Sequence, residues 1–167
     1  MIQHSKGART MGRVGVCVAF VSSALLFAGP ASAATERVAT AHEHDSDQFS
    51  VYLSGDEVRD GGDRDGQGFA RLDFDPARER VCYAITWRRL DGAVTALHLH
   101  ASPRRSDGPH WIDFFDNQRF DGERSTVADC VRAPRWKIRA VIDDPFDYYL
   151  NVHTTAHKHG AIRGQLG

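Results

Sequence analysis

The chain has 167 residues, 21 basic and 22 acidic side chains, and a net charge of −1 at neutral pH. Interspersed signs at so low a net charge argue against nucleic acid as the main partner. With 41% hydrophobic residues the composition is that of a folded domain, not of a disordered tail.

Residues 1–33 are expected to be a secretory signal peptide. His4, Lys6, Arg9 and Arg13 precede an apolar run from Val14 to Ala28, which Gly29-Pro30 and an A-x-A site at Ala31-Ser32-Ala33 follow. The run is too short for a membrane span, so export with cleavage after Ala33 and no stable anchor is expected. A second A-x-A, Ala39-Thr40-Ala41, lies farther from the apolar run. Cleavage after Ala33 removes three cations and no acid, which leaves a charge of −4. The remaining chain, about 134 residues, is enough for one domain with its own core. Two cysteines remain, Cys82 and Cys130. In an exported chain such a pair reads as a disulfide, and in a cytosolic one as two thiols.

From 34 to 47 the sequence is polar and reads as a solvated leader. Its His42-Glu43-His44-Asp45 run has the alternative of a loose metal-binding tail. The folded domain is expected over 48–167. Phe49, Val51 and Leu53 alternate with Ser50, Tyr52 and Ser54, the pattern of a first strand. The loop from Asp60 to Gly68 is rich in Asp and Gly. A calcium loop starting at Gly61 would lack its first ligand and would have Leu72 at its twelfth position, so a tight turn is expected instead. Strands over Phe69–Phe74 and Val81–Trp87 follow, separated by a turn at Pro76. The second of these is apolar enough on both faces for a central position.

In Val94–His100, Leu97 and Leu99 point one way and His98 and His100 the other. Two histidines at i and i+2 on a strand stand about 7 Å apart on one face, within reach of one metal ion. A fifth strand is expected over His110–Phe115, and a short one over Thr126–Val131 delivers Cys130 towards Cys82. Between Pro134 and Pro145 the apolar spacing mixes both periods, and strand and short helix remain open. The C-terminus reads as a hairpin of Tyr148–His153 and Gly160–Leu166, with Asn151 and His153 on one face and Arg163 and Gln165 on one face. Gly160 would serve a residue with positive φ. These elements predict an all-β fold, an antiparallel, Greek-key-like sandwich or barrel of about seven to eight strands.

The ordered region resembles the chordin-type CHRD domain, in its secreted bacterial single-domain form. The resemblance rests on Leu53-Ser54-Gly55-Asp56-Glu57-Val58, Gly62-Asp63-Arg64-Asp65-Gly66-Gln67-Gly68-Phe69-Ala70 and Val81-Cys82-Tyr83. It continues in His98-Leu99-His100, Tyr148-Tyr149-Leu150-Asn151-Val152-His153-Thr154 and Gly160-Ala161-Ile162-Arg163-Gly164-Gln165-Leu166. It covers about Phe49 to Leu166 and implies a secreted β-rich module with no established catalytic activity. The chain departs from the family at Ala156-His157-Lys158-His159, where a small or acidic residue and a Pro often precede the glycine. In outline the chain is also similar to Cu/Zn superoxide dismutase. That likeness implies copper at His98, His100 and His153, with His110 as a further candidate ligand and Arg163 guiding an anion. A bridging histidine and a zinc loop are not recognisable between His110 and Asp129.

Two readings of the histidine face stand side by side. In one, His98, His100 and His153 converge on a copper or zinc ion. In the other, Asn151, Arg163 and Gln165 form a structural polar network with the imidazoles and nearby carbonyls, fixing strand register. Arg163 adds a fixed positive charge, and amides are poor ligands for either metal. No nucleophile elbow, His-Glu-x-x-His run or phosphate loop is present, so no catalytic residue is assigned. The preferred function is a non-enzymatic binding or structural module facing an extracellular protein or envelope component. A histidine-based metal-binding domain, at its boldest superoxide dismutase-like, is the alternative.

Overall fold

The computed structural model describes residues 47–167; the expected signal peptide and nearly all of the leader, with His42 and His44, lie outside them. Eight strands form one antiparallel sheet that curls nearly into a barrel: β1 (Asp47–Ser54), β2 (Gln67–Asp75), β3 (Arg80–Arg88), β4 (Val94–Ala101), β5 (His110–Phe115), β6 (Arg124–Arg132), β7 (Tyr148–Thr154) and β8 (Ile162–Gln165). Their order across the sheet is β5-β4-β7-β8-β1-β2-β3-β6.

The alternation seen in the sequence sets which face is inside. Val51, Leu53, Leu72, Phe74, Val81, Ile85, Trp87, Leu97, Leu99, Leu150, Val152 and Ile162 fill one core. Burying these side chains is the main favourable term in folding. Tyr83 on β3 packs against Phe114 on β5 with ring centres 4.9 Å apart, so the inner faces of the two ends of the sheet meet across the core. β1 begins at Asp47, which pairs with Phe74, so the last residue of the expected leader belongs to the first described strand. β3 is paired on both sides, yet Ala84 and Thr86 on its outer face are exposed.

The stretch after Pro134 is a helix, α1 (Arg135–Asp143). Its mixed periodicity resolves because Ile138 and Val141, three residues apart, both reach the core, whereas Trp136 is exposed. Trp111 on β5 docks it, donating from Nε1 to the Lys137 carbonyl at 3.1 Å, while Lys137 Nζ donates back to the Trp111 carbonyl at 2.6 Å. The Asp/Gly loop is a compact turn. Asp63 is buried and its carboxylate accepts the Asp91 backbone N–H at 2.5 Å. Gly55 packs so closely on the Asp63 carbonyl that a Cβ there would stand 1.8 Å from its oxygen, which explains the glycine.

Cys82 and Cys130 are directly opposite each other on β3 and β6 and form a disulfide. Among the described residues β6 has no hydrogen-bonded strand neighbour beyond β3, so the bridge ties down an edge strand. None of the described helices is long and apolar enough to cross a membrane.

Candidate functional site

β4 lies directly beside β7, and β7 pairs with β8, so the C-terminal hairpin and the His98/His100 strand are neighbours. His98 is opposite Asn151 and His100 opposite Tyr149, while Asn151 is opposite Arg163 and Tyr149 opposite Gln165. Leucines and valines of β4 and β7 face the core, so the alternate residues form a polar face on the other side. Loops 102–109 and 155–161 partly roof that face, placing Gly108 on His100, His159 on Asn151 and Pro103 on Arg163, while the rings of His110 and His153 lie against His98; all four side chains are buried although they point away from the core. Beside it lies a cleft of about 530 Å³ lined by His100, His110, Tyr149, Asn151 and His153 among others.

The three predicted imidazoles come together. His98, His100 and His153 each offer a nitrogen, and these atoms lie within 4.8 Å of one another. His100 Nδ1 is 2.9 Å from the Gly108 carbonyl and His153 Nδ1 is 3.0 Å from the Lys158 carbonyl. A carbonyl can only accept, so in each neutral ring Nδ1 carries the proton and Nε2 a lone pair. Both Nε2 atoms are buried without a hydrogen-bond partner among the described residues, as are both nitrogens of His98.

The amides and the guanidinium do a different job. Asn151 Nδ2 donates to the His159 carbonyl at 3.3 Å, and Gln165 Nε2 to the carbonyls of Phe146, Tyr148 and Ser102 at 2.7, 2.8 and 3.2 Å. Arg163 lies over the Tyr149 ring, 3.4 Å from its centre, and donates to the Pro103 carbonyl and to Asp107. His100 stacks on the same Tyr149 ring at 4.8 Å. These three side chains thus tie the roofing loops to the hairpin through backbone carbonyls and Asp107. Gly160, with φ of 134°, packs against the Asn151 amide, where a Cβ would stand 2.6 Å from Oδ1.

Burial holds the histidines in their neutral form. It pushes His98 down to about 4, aided by the charges of His110 and His153, and opposed by Asp113. It pushes His100 down to about 4 as well, against the Gly108 hydrogen bond, with His110, His153 and Arg163 adding to the fall. His153 is lowered by the same burial. Unfolded, such groups titrate near 6.5, so between about pH 6.5 and 4 the unfolded chain binds more protons than the folded one. Stability of the metal-free domain therefore falls as pH drops through that window. Urea unfolding at pH 7 and pH 5 is expected to differ by about 2–4 kcal/mol; equal stabilities would contradict neutral buried imidazoles.

Two more ligand sets occur among the described residues. Asp63, Asp91 and His157 lie near one another, but Asp63 already receives the Asp91 N–H. His98, His110 and Asp113 form the other. On sequence grounds His110 enters only through the superoxide dismutase likeness and Asp113 is not among the expected ligands; β5 carries irregular register against β4 that brings both to His98.

No curated protein and no solved structure shows significant similarity to the chain. The CHRD domain family model matches residues 49–166, from β1 to the residue after β8 and including every residue of the histidine face. That span covers most of the chain and essentially all of its folded part, and the protein belongs to the CHRD domain family.

Proposed function

We propose that this protein is an exported, non-enzymatic CHRD module whose bound ligand is a transition-metal ion, held by His98, His100 and His153. The observation that carries the reading is the set of unpartnered nitrogens: four imidazole nitrogens are buried without a hydrogen bond among the described residues. A buried polar atom left unsatisfied costs about 1–3 kcal/mol, so a cluster of them on one face calls for a ligand. Their proton-bearing partners, the carbonyls of Gly108 and Lys158, are the outer-shell contacts that orient metal-binding histidines. In a tetrahedral zinc site, ligand nitrogens stand roughly 3.3 Å apart, so small ring movements from the present spacing suffice.

Nitrogen-only donors suit zinc and copper, not calcium or magnesium. Arg163 is compatible with a nearby cation because Asp107 and the Pro103 carbonyl share its charge. Export is supported by the N-terminal segment and by the Cys82–Cys130 disulfide, which persists in oxidising compartments.

Isothermal titration of metal-free protein with Zn(II) and Cu(II) at pH 7 tests the reading. One ion per chain with a Kd below about 1 µM is expected. Absence of binding tighter than that for both ions would overturn it.

A further inference from the structure

His98 belongs to two sets of ligand atoms, one inward with His100 and His153 and one outward with His110 and Asp113. We propose that His110 and Asp113, with His98, form an outer station where a divalent transition-metal ion is first captured and from which it passes to the inner three-histidine site. The proposal rests on the metal-binding reading above.

His98 is 5% exposed and neither of its nitrogens has a hydrogen-bond partner among the described residues. Its Nε2 stands 3.8 Å from Asp113 Oδ1, so the buried ring is aimed at the outer pair. The side chains of His110 and Asp113 are 52% and 62% exposed, which makes them reachable from solvent. Asp113 Oδ1 lies 3.0 Å from His110 Nδ1, the carboxylate–histidine arrangement that orients a ring for metal. The His110 ring centre is 4.0 Å from that of His98 and 4.6 Å from that of His100, so the step inward is short. His110 does not join the inner set of atoms, which makes the outer position a separate one.

Charge favours this route over the neighbouring cleft. There Asp107 is engaged by Arg59 at 3.3 Å and by Arg163 at 3.5 Å, and Lys158 adds a further cation. Asp113, in contrast, has only histidines as ion-pair partners among the described residues. A cation approaching β5 meets a carboxylate paired only with histidines, whereas Asp107 in the cleft is held by two arginines, and local charge of one sign raises capture rates.

Stopped-flow mixing of the metal-free chain with Zn(II), and transfer of Zn(II) from the loaded chain to a chelator, give both rates for wild type, His110→Ala and Asp113→Asn. Both rates are expected to fall by about tenfold in each variant while the equilibrium Kd stays within about threefold. Asp113→Asn keeps the shape of the side chain, so it carries the test should His110→Ala perturb β5. Unchanged rates would overturn the outer station. A Kd weakened as far as by loss of His100 would overturn it too, by making His110 an inner ligand, and so would two Zn(II) ions bound at once. Failure of the wild-type chain to bind Zn(II) removes the parent reading, whereas unchanged rates in variants that still bind remove this one alone.

Discussion

His100→Ala is expected to weaken Zn(II) affinity at pH 7 by about a hundredfold or more, and His153→Ala by a similar factor. Altering even the outer partners of metal ligands typically costs 10–100-fold, and a direct ligand more. Both residues present Nε2 with Nδ1 already committed to a carbonyl, so neither ring can be replaced by a flip of its neighbour. Gln165→Ala is the matched control, since among the described residues its amide donates to the carbonyls of Ser102, Phe146 and Tyr148 and to no histidine; it is expected to keep the Kd within about threefold of wild type. Thermal melting adds an independent readout. A ligand at a hundred times its Kd raises folding stability by about 2.7 kcal/mol. Zinc should therefore raise the Tm of wild type and Gln165→Ala and leave that of His100→Ala nearly unmoved. Equal zinc responses in wild type and His100→Ala would reduce the histidine face to a purely structural network.

Loss of the disulfide is the second large effect. Replacing Cys82 and Cys130 together by serine is expected to cost about 2–4 kcal/mol and to lower the Tm by about 10 °C. The bridge spans 48 residues of sequence and joins an edge strand whose side chains are mostly exposed. Without it, β6 would depend on its ladder with β3, the Thr86–Thr126 hydroxyl contact at 3.0 Å and the Trp87 Nε1 bond to the Asp121 carbonyl at 2.8 Å. The histidines sit on β4 and β7, in another part of the sheet, so zinc affinity should be unchanged. A Tm that is insensitive to both the double substitution and a reducing agent would contradict a stabilising bridge. A parallel loss of zinc affinity would instead mean that the two ends of the sheet are coupled.

The polar face connects these expectations to the fold. Eight strands with inward leucines, valines and aromatics can be built without any buried histidine, so His98 and His100 at positions only 5% and 6% exposed are an investment the core does not require. Their depressed proton affinity follows from that burial and keeps the lone pairs available at neutral pH.

Sequence alone determined the period-two elements, the inward and outward faces of β4 and β7, the CHRD membership and the cysteine pair. Each depends on side-chain alternation or on residue order, both of which are local and survive without coordinates. Tertiary structure decided what alternation cannot encode. The helical state of Arg135–Asp143 came from which of its apolar residues reach the core. The proton positions on His100 and His153 came from where two loops aim the carbonyls of Gly108 and Lys158. The meeting of His110 and Asp113 with His98 came from irregular pairing of β5 with β4. In each case the outcome depends on chain segments distant in sequence being brought to within hydrogen-bonding distance, and no spacing along a single strand contains that information.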